Sequence, residues 1–271
     1  MLRIIKKVLV YLLVFILTGF ATWLVHLGMQ GPDAAILMYH SIGEPVEKAS
    51  GLNVSQEVFE RQMRFLRNHH YCVLSLSELV RKLRAKEKIT ARTVVITFDD
   101  GYENNFTRAV PILKKYGIPA TIFVIADYLA KEEIMYGHRF QFMTPEMLKE
   151  ASDSGLIAIG SHTKSHPFLP SLEDPKRLGE ELVGSKRALE KILGVAVDFL
   201  CYPVGGYDRR VQAAVRQAGY KAAVTSLLKK GSVQDDLYAL KRIKITERSK
   251  NMFIFFIQTS GYYLQMKQTS R

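Results

Sequence analysis

Eight short apolar runs, separated by amphipathic stretches, set what this 271-residue chain can fold into. The runs are AILMYHSI (35–42), YCVLSL (71–76), TVVITF (93–98), ATIFVIA (120–126), LIAIGSH (156–162), VDFLCYP (197–203), KAAVTSL (221–227) and LKRIKIT (240–246). Most are nearly continuous in apolar residues rather than alternating, the pattern of parallel strands covered on both faces. Helical patterns fall between them, each with boundary signals. Ser55 precedes a stripe of Phe59, Met63 and Leu66, and Ser77 precedes ELVRKLRAK. Thr144-Pro145 and Asp174-Pro175 pair a capping residue with proline at the first helical position, Asp208 opens RRVQAAVRQAGY, and Gly117 and Gly219 stand near helix ends. Repeated β-then-α units predict one α/β domain, built as a closed parallel barrel or an open doubly wound sheet. Eight candidate strands favour the barrel.

The composition excludes several classes. With 48% hydrophobic and 24% charged residues and no low-complexity tract, the chain is not a disordered one. The net charge of +12 would suit nucleic acid, an anionic membrane surface or an acidic polymer. Its densest cluster, RKLRAKEKITAR (81–92), reads as a solvated helix face, and no nucleic-acid-binding motif accompanies it, so nucleic acid is not an expected partner. Cys72 and Cys201 lie far apart in apolar runs and read as buried small hydrophobes, not as a disulfide framework or zinc ribbon.

The N-terminus bears on compartment. No Asp, Glu, Lys or Arg occurs between Lys7 and Asp33. As a helix, VLVYLLVFILTGFATWLVHL (8–27) spans about 30 Å, the hydrocarbon thickness of a bilayer. Arg3, Lys6 and Lys7 precede it and stay on the cytoplasmic side, so residues 1–30 are expected to form a single membrane anchor with residues 31–271 outside. The alternative is a signal peptide cleaved near GFA (19–21), giving a secreted protein. Both readings export the domain.

Chemistry-bearing residues gather at the ends of the runs. His40 ends the first, Asp99 and Asp100 end the third, His162 ends the fifth with His166 soon after, and Tyr202-Pro203 end the sixth. In parallel barrels the strand C-terminal ends carry the active site. Adjacent carboxylates on an apolar strand repel and are penalised by burial, so Asp99 and Asp100 need a reason to coexist. SHTKSHP (161–167) supplies one: two histidines four apart, with Pro167 biasing His166 towards an extended backbone. Two histidines and one carboxylate suit a catalytic divalent ion. One carboxylate of the pair would bind the ion, and the other would take a proton from the water the ion activates. Gly101 lets the chain turn sharply beside them.

The motifs TFDDG (97–101), SHTKSHP (161–167) and YPVGGYD (202–208) resemble those of the polysaccharide deacetylase family, the NodB-homology or carbohydrate esterase family 4 domain. LMYHSI (37–42) and FERQMRFLRNHHYCVLSLSEL (59–79) are similar to its poly-N-acetylglucosamine de-N-acetylase subgroup, and the resemblance covers roughly residues 34–258. It implies a distorted, incomplete (β/α) barrel and a hydrolase that removes N-acetyl groups from an N-acetylglucosamine polysaccharide, poly-N-acetylglucosamine being favoured. Peptidoglycan is the alternative substrate, and a catalytically silent glycan-binding or assembly protein the alternative class. The polysaccharide's export or synthesis machinery is a further implied partner. By resemblance, Asp99 is the general base and Asp100, His162 and His166 are the ligands of a divalent metal, zinc first, cobalt or nickel otherwise. The backbone N–H of Val204 is the oxyanion donor, and Thr163 orients the histidine loop. Two departures stand out. An arginine that many members carry before the third motif's proline, where it holds the base, is replaced by Cys201 or Tyr202. No C-terminal Leu-x-His motif supplies a general acid, and the tail reads LKRIKITERSKNMFIFFI (240–257). His40 is the candidate acid, or else a structural histidine. Tyr136, His138, Phe140 and Phe142 would line a sugar groove or pack an irregular loop.

Overall fold

A computed structural model describes residues 2–29, 34–43, 51–135, 138–227 and 236–264, with backbone alone for 2–4, 21, 23–29, 135 and 138. Six strands pair in parallel in chain order: β1 (Ala35–Tyr39), β2 (Thr93–Phe98), β3 (Ala120–Val124), β4 (Ile157–Ser161), β5 (Phe199–Cys201) and β6 (Ala222–Thr225). The sheet then closes in an economical way. β7 (Leu240–Lys241) pairs with β6, while β8 (Ile243–Lys244) pairs with β1, and only Arg242 separates them. The Arg242 N–H donates to Thr225 O at 3.1 Å and the Ile245 N–H to Met38 O at 2.9 Å. One extended segment thus bonds first to one edge of the sheet and then to the other, and the barrel has seven staves rather than eight. The run 71–76 forms only a two-residue strand, Cys72–Val73, beside β2, because Leu76 already begins a helix.

Around the barrel lie helices α1 (Leu2–Met29), α2 (Gln56–Asn68), α3 (Leu76–Arg84), α4 (Val110–Tyr116), α5 (Pro145–Asp153), α6 (Pro175–Gly179), α7 (Ser185–Leu193), α8 (Arg209–Gln217) and α9 (Met252–Gln258), short 3₁₀ and π-helical turns, and two small two-stranded sheets, Ser41–Ile42 with Asn53–Val54 and Glu132–Met135 with His138–Gln141. Ser55, Thr144, Asp174 and Asp208 cap the helices they were expected to cap. The cap of α3 is Ser75, not Ser77. Its hydroxyl accepts from the Glu78 N–H, and the Glu78 carboxylate accepts from the Ser75 N–H at 2.9 Å, a reciprocal box that Ser77 has no partner to form. Cys201 is buried, but Cys72 is exposed on its two-residue strand. Phe255 of α9 packs edge-on to Phe65 of α2 at 5.9 Å, while Phe253 and Ile254 remain exposed. Among the described residues no helix is long and apolar enough to cross a membrane, so the span expected over 8–27 is not found there. In α1 the described side chains are those of 5–20 and 22.

Replacing Ser75 by Ala should lower the unfolding free energy by about 1 kcal/mol, whereas Ser77→Ala should stay within about 0.5 kcal/mol of the parent. Denaturant unfolding of the two variants separates the assignments; equal losses would overturn the capping box.

Candidate active site

Asp99 and Asp100 leave β2 in opposite senses. Side chains alternate along a strand, so Asp99 continues the inward face that carries Thr97. Asp100 then enters the left-handed region at φ 70°, followed by Gly101 at φ 79°. A side chain at Gly101 would press on Val124 at 3.1 Å, so glycine is needed for both space and backbone. This turn lays the Asp100 carboxylate over the barrel mouth, facing the loop after β4.

His162 ends β4 and is buried. Its Nδ1 lies 2.9 Å from the Cys201 carbonyl oxygen. A carbonyl only accepts, so Nδ1 carries the proton and Nε2 presents its lone pair to the cavity. Burial pulls its pKa down to about 4, which keeps the ring neutral and fit to ligate. Asp100 Oδ1 lies 3.5 Å from His162 Nε2 and 3.9 Å from His166 Nε2. The donor atoms of these three residues all fall within 4.8 Å of one another, a set that fits a divalent cation. The loop between the histidines is held on its outer side. Thr163 sits at φ 67°, its N–H donating to Ser161 Oγ and its hydroxyl accepting from the His166 N–H, both at 3.1 Å. The buried Glu181 carboxylate accepts from the N–H groups of Lys164 and Ser165 and from the Ser165 hydroxyl, at 2.9, 2.8 and 2.6 Å. His166 adopts φ 62° rather than the extended backbone that Pro167 led us to expect, because this anchored loop overrides the local preference.

Asp99 is buried and receives a two-pronged bond from Arg242, Nη1 to Oδ1 and Nη2 to Oδ2, both at 2.6 Å. Arg242 Nη1 also donates to Thr97 Oγ1 at 3.1 Å, and Nη2 lies 3.0 Å from Cys201 Sγ. Burial would raise the Asp99 pKa, but the charge and hydrogen bonds of Arg242 outweigh it and hold the carboxyl well below its usual range. Burial pushes the Cys201 thiol up, so it stays protonated beside them. His40 Nε2 stands 4.0 Å from Asp99 Oδ2, its pKa lowered by burial. His40 Nδ1 has no hydrogen-bond partner among the described residues. Val204 occupies φ 55° in the turn Pro203–Gly205, with its side chain exposed at the mouth.

All six residues singled out from the sequence, His40, Asp99, Asp100, His162, His166 and Val204, line one cavity of about 340 Å³. Arg242 lines it too, and sequence reasoning missed it. The arginine thought absent before the third motif is replaced by one arriving from the other side of the barrel, on the seam. A signal existed: Leu240, Arg242 and Lys244 share one face of an apolar strand, where a charge requires an inward partner. The aromatic loop is largely packing. Phe140 and Phe142 are buried and group with Tyr102, Ile125 and Tyr128, while Tyr136 and the side chain of His138 lie outside the described residues.

A family model for polysaccharide deacetylase matches residues 86–223, which hold the acid pair, both histidines and the turn at Val204. The chain belongs to the polysaccharide deacetylase family. It is 35% identical over 211 residues to YxkH of Bacillus subtilis, whose name assigns it to the same class, covering 78% of this chain and 71% of the relative. It is 29% identical over 202 residues to the poly-beta-1,6-N-acetyl-D-glucosamine N-deacetylase of Staphylococcus aureus, covering 72% and 68%. Among solved structures, the Streptococcus pyogenes deacetylase PplD, in complex with acetate, superposes with a TM-score of 0.71 at 28% identity, covering 84% of this chain and 99% of that one. IcaB from Ammonifex degensii gives 0.72 at 25% identity, covering 84% and 98%. The protein is therefore a de-N-acetylase hydrolase on the NodB-type barrel.

Removing one partner of a buried ion pair strands the other charge. Arg242→Ala should cost about 3–5 kcal/mol of stability, and the double change Asp99→Asn with Arg242→Met should recover much of it. Urea midpoints of the three proteins check this; a loss under about 1 kcal/mol would show that the pair is not desolvated as described.

Proposed function

We propose that this protein is a metal-dependent N-deacetylase of a poly-N-acetylglucosamine, acting outside the cytoplasmic membrane. The observation that carries the proposal is the convergence of an Asp100–His162–His166 donor set and an arginine-held Asp99 in one cavity. Supporting the substrate, the Staphylococcus aureus relative is named for poly-beta-1,6-N-acetyl-D-glucosamine. Asp100, His162 and His166 would hold the ion, zinc by preference, with cobalt or nickel accepted. Such an ion supplies Lewis acidity, polarising a carbonyl oxygen and lowering the pKa of a water.

The chain's own groups do the rest. Arg242 keeps Asp99 ionised and occupies one lone pair on each carboxylate oxygen; the Cys201 thiol donates to Oδ2 as well, leaving the second lone pair of Oδ1 to take the proton of the attacking water. The backbone N–H of Val204, aimed by its left-handed turn, stabilises the oxygen that gains charge as the acetamide carbon becomes tetrahedral. His40 delivers a proton to the departing amine. It lies beside Asp99, so the proton that Asp99 accepts has a short path to it. The placement outside the membrane rests on the uncharged run 8–27 behind Arg3, Lys6 and Lys7. The apolar run continues past the GFA site (19–21), which favours an uncleaved anchor over a secreted form.

Purified protein should release acetate from N-acetylglucosamine oligomers and lose that activity with a chelator. Asp100→Asn should lower metal content, with excess metal restoring part of the rate. Asp99→Asn should keep the metal and lose about 10²–10⁴ in turnover, without rescue by added metal. Full metal in Asp100→Asn, or near-normal turnover in Asp99→Asn, would overturn the assignment of roles. Release from peptidoglycan fragments alone would move the substrate to the cell wall, and no release from either would leave a glycan-binding protein. For topology, a reporter fused after Arg271 should be active only in the exported compartment, and a mature N-terminus at Thr22 would replace the anchor by a cleaved signal.

A further inference from the structure

A second groove, of about 440 Å³, lies beside the catalytic cavity and is lined in part by Ser41, Asn53, Glu103, Asn104, Arg108 and Phe140. The chain makes the two neighbours. The turn that points Asp100 into the cavity runs on through Tyr102 to Glu103, and three residues of chain span at most about 11 Å. The Tyr102 ring packs against Phe140 at 5.0 Å and Phe142 at 5.2 Å; Phe140 lines the groove, while Tyr102 and Phe142 line the cavity. The two spaces therefore share an aromatic wall.

The floor of the groove is rigid. Asn104 Nδ2 donates to Ser41 Oγ at 2.8 Å, and Asn104 Oδ1 accepts from the Ile42 N–H at 3.1 Å. Ser41 Oγ donates to Asn53 Oδ1 at 2.9 Å, and Asn53 Nδ2 to Gly43 O at 3.0 Å. Arg108 lies flat against this floor: a side chain at Gly43 would come within 2.6 Å of its Nη1. Arg108 and Glu103 are both partly buried, yet among the described residues neither the guanidinium nor the carboxylate has a hydrogen-bond or ion-pair partner. A positioned cation without an anion is costly unless something else supplies acceptors. A groove with a held guanidinium, a carboxylate, amides and an aromatic edge offers donors, acceptors and an apolar face together. Arg139, which also lines the groove, is already paired with Glu132. Sugar rings use all three, whereas a lipid tail would not use the donors.

We propose that this groove is a polymer subsite that holds the sugar unit adjoining the one whose acetamide enters the catalytic cavity. Arg108 donates to the hydroxyl or acetyl oxygens of that unit, and Glu103 accepts from its hydroxyl or amino groups. The inference rests on the reading of the substrate as an N-acetylglucosamine polymer and adds where its next unit lies.

The test uses the full-length protein, N-acetylglucosamine oligomers of one to six units, and the variants Glu103→Gln and Arg108→Ala. In the parent, KM should fall as the oligomer lengthens. Each variant should raise KM for the hexamer about tenfold or more, the weight of a hydrogen bond to a charged group, with kcat and the rate on the monomer unchanged. A chain-length dependence equal to the parent's in both variants would overturn the subsite, as would an equal loss on monomer and hexamer. Should Arg108→Ala unfold, Glu103→Gln decides alone. Hexamer binding by calorimetry separates the two readings. If the parent releases no acetate, the proposed function fails; the subsite still stands if the hexamer binds the parent and binds the variants about tenfold more weakly, and falls if all three bind alike.

Discussion

A guanidinium clamped onto a buried carboxylate holds this molecule together at the wall of its candidate active site. Arg242 and Asp99 are both almost wholly buried, and each makes the other's burial tolerable. Arg242 is also the single residue between the two short strands that join opposite edges of the sheet. The charge pair therefore sits on the seam of the barrel. Closing the ring brings the guanidinium over the barrel's interior, where Thr97, Cys201 and the Phe123 ring surround it.

The pair also explains how adjacent carboxylates coexist. Asp99 faces inward and is neutralised by arginine, while Asp100 is turned outward over the mouth towards two imidazoles. The separation depends on backbone geometry that most residues avoid. Asp100, Thr163, His166 and Val204 all have positive φ, and each is at the cavity or in the loop that builds it. Such conformations cost on the order of 1–3 kcal/mol each, and persist where the surroundings over-determine them. Here the surroundings can be named: the three donors converging on Glu181, the hydroxyl of Thr163, and the close approach of Gly101 to Val124.

Much of this was legible in the amino-acid sequence because it follows from local rules. Apolar runs gave the strands, capping residues gave four helix starts, and the strand-end rule gathered His40, Asp99, Asp100, His162 and His166 before any fold was drawn, while Val204 came from the family resemblance alone. What escaped depends on contacts between distant segments. Arg242 could not be paired with Asp99 without knowing that β7 and β8 flank the seam. The run 71–76 read as a stave, but Ser75 and Glu78 form a better helix start than its C-terminal half forms a strand. Cys72 read as buried because its neighbours in sequence are apolar, yet a two-residue strand beside β2 leaves it exposed. The left-handed backbone at His166 answers to Glu181 and Thr163, which no reading of Pro167 alone could weigh.

The seam has a consequence in time. β8 must find β1 across nearly the whole length of the domain, from Lys244 back to Met38, a contact of the most non-local kind. The six earlier strands are laid down in spatial order, and with them the turn of Asp100 and the histidine loop. Only the last stave supplies the arginine. A nascent or truncated chain ending before residue 242 thus possesses the elements of the candidate metal-binding set but an Asp99 without its arginine. Completion of the barrel and the pairing of Asp99 with its arginine become one event, so that an unfinished barrel is also one whose buried carboxylate lacks its counter-charge.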